Sequence, residues 1–303
     1  MTQISPILLG RSAAICLKRC LCLCLILCLA FIVTAHRTAR ADSVAELRKQ
    51  LHRPVPGGVA VVAVMTFAES SVPPAVYLGD HRVLTVSDNQ SWWAVVGVPL
   101  DTEPGTIELD VRAPSVRKTV PIAIKPFEYK SQHITLKDRA MVSPPPKTLE
   151  RIKDELSEQI AAYGTYTDSP VSNLIFDRPV PGRQSSPFGL QRFFNGEPRN
   201  PHSGLDFAAP TGTPVKSPAN GRVLLIGDYY FNGLTIFIDH GHGVISMFCH
   251  LSQIHLLPGD VVNRGDVVGA VGSTGRSTGP HLHWNVSLNN ARVDPALFLR
   301  QAN

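Results

Sequence analysis

Short runs of valine, isoleucine and aromatic residues, broken about every ten residues by glycine, proline, aspartate or asparagine, fill most of this chain. Between Gly57 and Phe127 they read "GGVAVVAVMTF", "PPAVYLG", "HRVLTVSD", "SWWAVVGVPL", "GTIELDVRA" and "KTVPIAIKPF". Runs of this length and spacing are strands joined by tight turns, and they predict a small antiparallel β-sandwich or barrel. A second β-and-turn stretch runs from about Val180 to the C-terminus, with glycine turns and a doubled "GDVV" at Gly259 and Gly265. The chain is expected to be mainly β. Within "SWWAVVG", adjacent Trp92 and Trp93 point to opposite faces of a strand, which places one of them in the core.

One segment breaks the pattern. In "MVSPPPKTLERIKDELSEQIAAYGTY" three prolines end the first β region, and Leu149, Ile152, Leu156, Ile160 and Tyr163 recur at helical spacing up to Gly164. This predicts one amphipathic helix linking two β domains and docking by its apolar stripe.

The N-terminus changes how charge and cysteine should be read. Arg11, Lys18 and Arg19 precede an uncharged run from Cys20 to Ala35, and Ala39-Arg40-Ala41 follows. Positive charge, a short apolar run and a small-residue site predict a secretory signal peptide over residues 1–41. An uncleaved run would instead anchor the chain in a membrane. Cleavage removes five of the 29 basic residues and none of the 24 acidic ones, leaving 24 of each. The overall basicity thus belongs to the targeting segment, and no nucleic-acid partner is expected. Five of the six cysteines leave with it, so Cys249 has no intrachain partner and no thiol metal site can form. The expected organisation is a signal peptide at 1–41, a β-rich domain at 42–140, a helical linker at 141–179 and a second β domain at 180–303. The mature protein is expected to be exported.

Any metal must then be held by histidines and carboxylates, and histidines cluster late. Seven of the ten that remain lie between positions 202 and 283. His202 and Asp206 in "PHSGLDF" would be about 13 Å apart in an extended strand, so joint chelation requires a bend, which Ser203-Gly204 permits. His281 and His283 in "PHLHW" are alternate residues of a strand and share a face. A catalytic metal site commonly uses three protein ligands and leaves one position open. His202, Asp206 and one of the H-x-H pair would supply three. The other member and His250 in "MFCHL" would be left for proton transfer. Spacing does not decide which member is which. No H-E-x-x-H is present, so the glutamate base found in many zinc proteases is missing and histidine must take that work. The rival pair, His240 and His242 in "DHGHGV", is interleaved with glycines and is expected in a mobile turn, and His255 is expected at the surface.

Taken together, "HSGLDFAAPTGTPV", "MFCHL" and "GSTGRSTGPHLHW", with "SSPFGLQR" before them, resemble the signature segments of the lysostaphin-type (LytM-type) zinc endopeptidases of bacterial cell walls. The match covers about residues 182–298, and the region 56–126 is similar to N-terminal domains of some Gram-negative members. The resemblance implies an antiparallel β-sheet metallopeptidase domain with one Zn2+ per chain on His202, Asp206 and His283. It implies His250 and His281 as the catalytic histidines, peptidoglycan peptide stems as substrate and a periplasmic location. Some members have lost ligands and only activate amidases, whereas all five positions are kept here. The stretch "SPANGRV" with "PGDVVNRGDVVGAVG" also resembles the barrel of biotinyl and lipoyl carriers, but their modifiable lysine is missing.

Overall fold

In the computed structural model, residues 42–136, 139–171 and 173–301 are described, and they fall within one compact unit. The signal peptide expected at 1–41 lies outside the described residues.

Helix α1 (Val44–Leu51) opens the fold. Ser43 caps it by accepting from the Glu46 backbone N–H, while the Glu46 carboxylate accepts from the Ser43 N–H, a reciprocal capping box. Six strands follow: β1 (Val59–Thr66), β2 (Ala75–Leu78), β3 (His81–Ser87), β4 (Ser91–Gly97), β5 (Gly105–Arg112) and β6 (Arg117–Ile124). They form one antiparallel sheet in the order β1-β4-β3-β2-β5-β6. The sheet curls toward a barrel, and Lys125 just after β6 donates its N–H to the Pro54 carbonyl just before β1.

β1 reads as a continuous apolar run because it is buried on both faces. Val59 and Val61 enter a core shared with the C-terminal half, while Ala60 enters the interior of the curled sheet with Val76, Leu109 and Ile122. Trp92 and Trp93 do take opposite faces, but neither is fully buried. Their indole N–H groups donate to the Ser70 carbonyl and the Asp88 carboxylate at the sheet's margin.

Strand β7 (Ser131–Ile134) leads to helix α2 (Pro146–Tyr163), which has proline at its first position and stops at Gly164. The helix docks on its own protein, yet not by the expected stripe. Leu149, Leu156 and Ile160 are about half exposed, at 52, 55 and 47%. The docked face is largely polar. Glu155 accepts from the Tyr230 N–H, Glu158 from the Tyr229 hydroxyl and Gln159 from the Asn232 amide, before buried Tyr163 packs against Phe237. Hydrogen bonds to the turn at 228–232 thus override the hydrophobic periodicity.

The C-terminal half contains β8 (Gln184–Ser186), β9 (Gln191–Phe194), β10 (Glu197–Pro198), β11 (Leu205–Ala208), β12 (Pro214–Lys216), β13 (Gly221–Tyr229) and β14 (Gly233–Asp239). It continues with β15 (Val244–Gln253), β16 (Val261–Val262), β17 (Val267–Val271), β18 (His281–Leu288) and β19 (Ala291–Val293). The main sheet is antiparallel in the order β16-β13-β14-β15-β18-β11-β8, with β17 and β19 pairing at its side and β12 on β17. The doubled "GDVV" builds the same turn twice, Asp260 accepting from the Leu257 N–H and Asp266 from the Asn263 N–H, both at 2.8 Å. Strand β7 pairs in parallel with β9 in a small separate sheet that forms one wall of the cleft described below.

The two halves are locked at defined points. The Asn289 side chain accepts from the Gly97 N–H at 2.7 Å and donates to the Gly97 carbonyl at 3.0 Å, both buried. Arg53 pairs with Asp294 at 3.3 Å, and the Gln50 amide donates to the Leu297 and Leu299 carbonyls.

Candidate metal and proton-transfer site

The five residues singled out in the sequence converge at one end of the main sheet. In the β11–β18 ladder Asp206 lies directly opposite His283, and Ala208 opposite His281. His281 and His283 therefore sit on one face of β18, as alternation requires. His202 precedes β11, and the chain turns between them as the chelating geometry demands. Its N–H donates to the Leu190 carbonyl and its carbonyl accepts from the Gly189 N–H, while the Asn285 amide holds the Ser203 carbonyl at 2.6 Å. Gly204 is needed at the bend, because a Cβ there would lie 2.5 Å from the Trp284 carbonyl oxygen and 2.9 Å from the His283 ring.

His250 arrives by a different device. The β14–β15 register slips between Leu234/Leu251 and Ile236/Phe248, so β15 carries one extra residue there. His250 sits in this bulge at φ +59°, a backbone conformation rare for residues other than glycine and found where a side chain is re-aimed at a site.

Three donor atoms meet. Asp206 Oδ1 lies 3.0 Å from His202 Nε2 and 2.7 Å from His283 Nδ1, and these two nitrogens are 3.0 Å apart. All three residues are buried or nearly so and could hold one metal ion. Beside them, the His281 Nε2 is 4.0 Å from Asp206 Oδ1, and the His250 ring is centred 4.7 Å from that of His281.

Backbone carbonyls set the ring orientations. The Nδ1–H groups of His202, His250 and His281 donate to the carbonyls of Pro187, Thr274 and Gly279 at 2.7, 2.8 and 2.8 Å. Each ring thereby presents Nε2 to the site. His283 alone points Nδ1 inward. Burial pushes the His283 imidazole down to about 4 and that of His250 to about 3, the latter reinforced by its neighbours His283 and His281. Burial alone would raise Asp206, but the His202 and His283 rings set against its Oδ1 outweigh this and hold the carboxyl well below the usual range.

The sequence profile of Peptidase family M23 matches residues 200–295, and that of the Peptidase family M23 N-terminal domain matches 52–126. A crystal structure of an M23 peptidase from Pseudomonas aeruginosa is 48% identical, with a TM-score of 0.71, and the match covers 83% of this chain and 97% of that one. The chain belongs to peptidase family M23. Among curated relatives, the DD-carboxypeptidase/endopeptidase Mpg of Neisseria gonorrhoeae is 42% identical over 113 residues, 37% of this chain and 26% of that protein. The peptidoglycan DD-endopeptidase ShyB of Vibrio cholerae is 39% identical over 94 residues, 31% of this chain and 22% of that protein. This M23 peptidase thus spans about a quarter of the length of the curated relatives it matches.

Two arginines of the M23 site escape sequence reasoning. Arg192 on β9 donates to Asp206 Oδ2 at 3.1 Å, although β9 belongs to a different sheet. Burial lowers its pKa and Asp206 opposes the shift. Between the wall of β7 and β9 and the site lies a cleft lined by Gln132, Arg192, Asp206, His250 and His281. Arg276, in the loop before β18, lines it too, and burial together with repulsion from Arg192 and Arg199 brings Arg276 down to about 10. Arg192 lies within the quoted "SSPFGLQR", the only signal that could have flagged it.

The rival histidines play no part. His240 is buried and fixed, hydrogen-bonded through Nδ1 to the Asn220 carbonyl and through Nε2 to the Ser246 hydroxyl, so the expected mobile turn is a rigid one. His242 stacks on Tyr166 at 5.7 Å between ring centres, and His255 is exposed.

Proposed function

We propose that this M23 peptidase hydrolyses peptide crosslinks of bacterial peptidoglycan, using one zinc ion held by His202, Asp206 and His283. The observation that carries the reading is the triangle of donor atoms with edges of 2.7–3.0 Å beside two imidazoles whose Nε2 atoms make no hydrogen bond among the described residues.

The donor set fits zinc. Two imidazole nitrogens and a carboxylate oxygen are ligands zinc accepts, and three protein ligands leave a position open for chemistry. Proton accounting points the same way. With its Nδ1–H given to the Pro187 carbonyl, neutral His202 turns an Nε2 lone pair toward Asp206 Oδ1 at 3.0 Å, so two acceptors face each other. A cation between them removes that repulsion. When bound, zinc acts as a Lewis acid that polarises a carbonyl and makes a water more acidic.

The remaining work falls to side chains of this chain. His250 and His281, each fixed in one tautomer by a backbone carbonyl, hold free Nε2 lone pairs over the site. One can take a proton from the attacking water and the pair can return it to the leaving amine. Arg192 holds the outer oxygen of Asp206, which keeps Oδ1 aimed inward. Peptidoglycan as substrate is supported by the similarity to the Vibrio peptidoglycan DD-endopeptidase, and export to the periplasm by the N-terminal signal pattern. The purified protein, supplied with zinc and crosslinked peptidoglycan, should release uncrosslinked muropeptides seen by mass analysis. Binding to the wall without release of any such product would instead mark a non-catalytic wall-binding protein or amidase activator.

A further inference from the structure

The loop between β17 and β18, "GSTGRSTGP", does more than connect. Its Thr274 carbonyl holds the His250 ring and its Gly279 carbonyl holds the His281 ring. Arg276 lies between these two anchors, so its place is set by the same loop that sets both free imidazoles. Its guanidinium is clamped over Phe194 at 4.8 Å and Phe231 at 4.3 Å from the ring centres, and its backbone N–H donates to the Phe231 carbonyl.

This cation has no carboxylate partner among the described residues. Among those residues its side chain makes one hydrogen bond, a long 3.3 Å contact from Nη1 to the Met141 carbonyl, and no ion pair. Arg192, its neighbour across the cleft, is already committed to Asp206. The same wall carries two buried polar atoms without a hydrogen-bond partner, Gln132 Oε1 and Arg192 Nε. A half-buried guanidinium with most of its donors unspent, lining the cleft that holds the site, is matched by a carboxylate, which can take two parallel N–H bonds.

We infer that Arg276 binds a free carboxylate of the substrate beside the scissile amide, and so selects peptides that carry one there. An interior residue of a linear peptide has its carboxyl tied up in the next amide and offers no such charge. A chain-terminal residue, or a diamino diacid joined through one amine, keeps a free carboxylate next to the scissile nitrogen. Arg276 would thereby separate crosslinks and chain ends from ordinary interior peptide bonds. The inference rests on the proposed peptidase reading.

The test uses two synthetic crosslinked stem-peptide dimers, one with a free carboxylate on the carbon beside the scissile nitrogen and a twin with a carboxamide there. Dissociation constants are measured by calorimetry on the full-length His281→Ala protein, and kcat/KM on the wild type. The carboxylate peptide should be favoured about 10–100-fold in both readouts, the range of a charge-assisted hydrogen-bonded pair. Adding Arg276→Met should bring the ratio of the two dissociation constants close to one, and Arg276→Lys should restore part of it, each checked for an unchanged melting temperature. A wild-type ratio near one overturns the inference without recourse to any variant, as does a ratio that survives Arg276→Met. Cleavage of both peptides at equal rates sinks only the Arg276 assignment. Failure to bind or cut either peptide sinks the peptidase reading with it.

Discussion

Asp206 and His283 stand directly opposite each other on adjacent antiparallel strands, with Oδ1 and Nδ1 2.7 Å apart. Because the ladder sets this pair, two of the three donor atoms are placed by backbone hydrogen bonds, and only His202 depends on a loop. The site is therefore as rigid as the sheet that carries it, and residues that steady the pair from outside should tune its affinity for metal.

Arg192 is the first such residue. Its 3.1 Å contact to Asp206 Oδ2 leaves Oδ1 as the oxygen that faces the histidines. Arg192→Met should weaken zinc binding by about 10–100-fold, the usual cost of losing an outer support of a metal ligand. Competition with a chelator measures this. An unchanged affinity would mean that the strand alone orients Asp206.

Gly204 should tolerate no side chain. The Cβ of Gly204→Ala would press on the Trp284 carbonyl oxygen at 2.5 Å and on the His283 ring at 2.9 Å. Overpacking of this kind costs about 1–3 kcal/mol. Since the strain falls on a donor ring, zinc content should drop along with the urea midpoint. A variant of wild-type stability and full zinc content would show that the bend has slack.

His240 gives a pH signature away from the metal site. Burial lowers its folded pKa from 6.5 to about 4, so it stays neutral in the fold while the unfolded chain takes up a proton. Stability contributed by the neutral ring is complete above pH 6.5 and is lost as pH falls toward 4, a total of about 3 kcal/mol. Urea unfolding of wild type and His240→Gln at pH 7, 5 and 4 should show the wild type losing more stability on acidification. Parallel pH dependences would contradict the assignment.

The sequence carried the site further than the fold around it. The requirement for a bend at Ser203-Gly204, the shared face of His281 and His283, and the β-rich text of both halves follow from periodicity and glycine placement, and the structure contains each. The contribution of Arg192 was hidden because β9 reaches Asp206 from another sheet, and no local pattern encodes that contact. The three carbonyls that orient His202, His250 and His281 belong to the backbone, which sequence does not distinguish. Helix α2 misled for a related reason. Its apolar stripe at Leu149, Leu156 and Ile160 is plain in the text, but docking was decided by Glu155, Glu158 and Gln159 meeting the 228–232 turn. His240 misled because Gly241 and Gly243 just after it suggested looseness, whereas its two hydrogen bonds hold it fast.

The division of labour between the two histidines of "PHLHW" is the centre of the account, and zinc stoichiometry by elemental analysis of folded single variants tests it most directly. His283→Ala removes one of three donors and should lose most of the metal and all measurable hydrolysis. His281→Ala, and His250→Ala beside it, should keep close to one zinc per chain while peptidoglycan cleavage falls by about 10²–10⁴-fold, the range for a lost proton-transfer group. If His281→Ala loses its zinc as fully as His283→Ala, both histidines are ligands and the account is wrong.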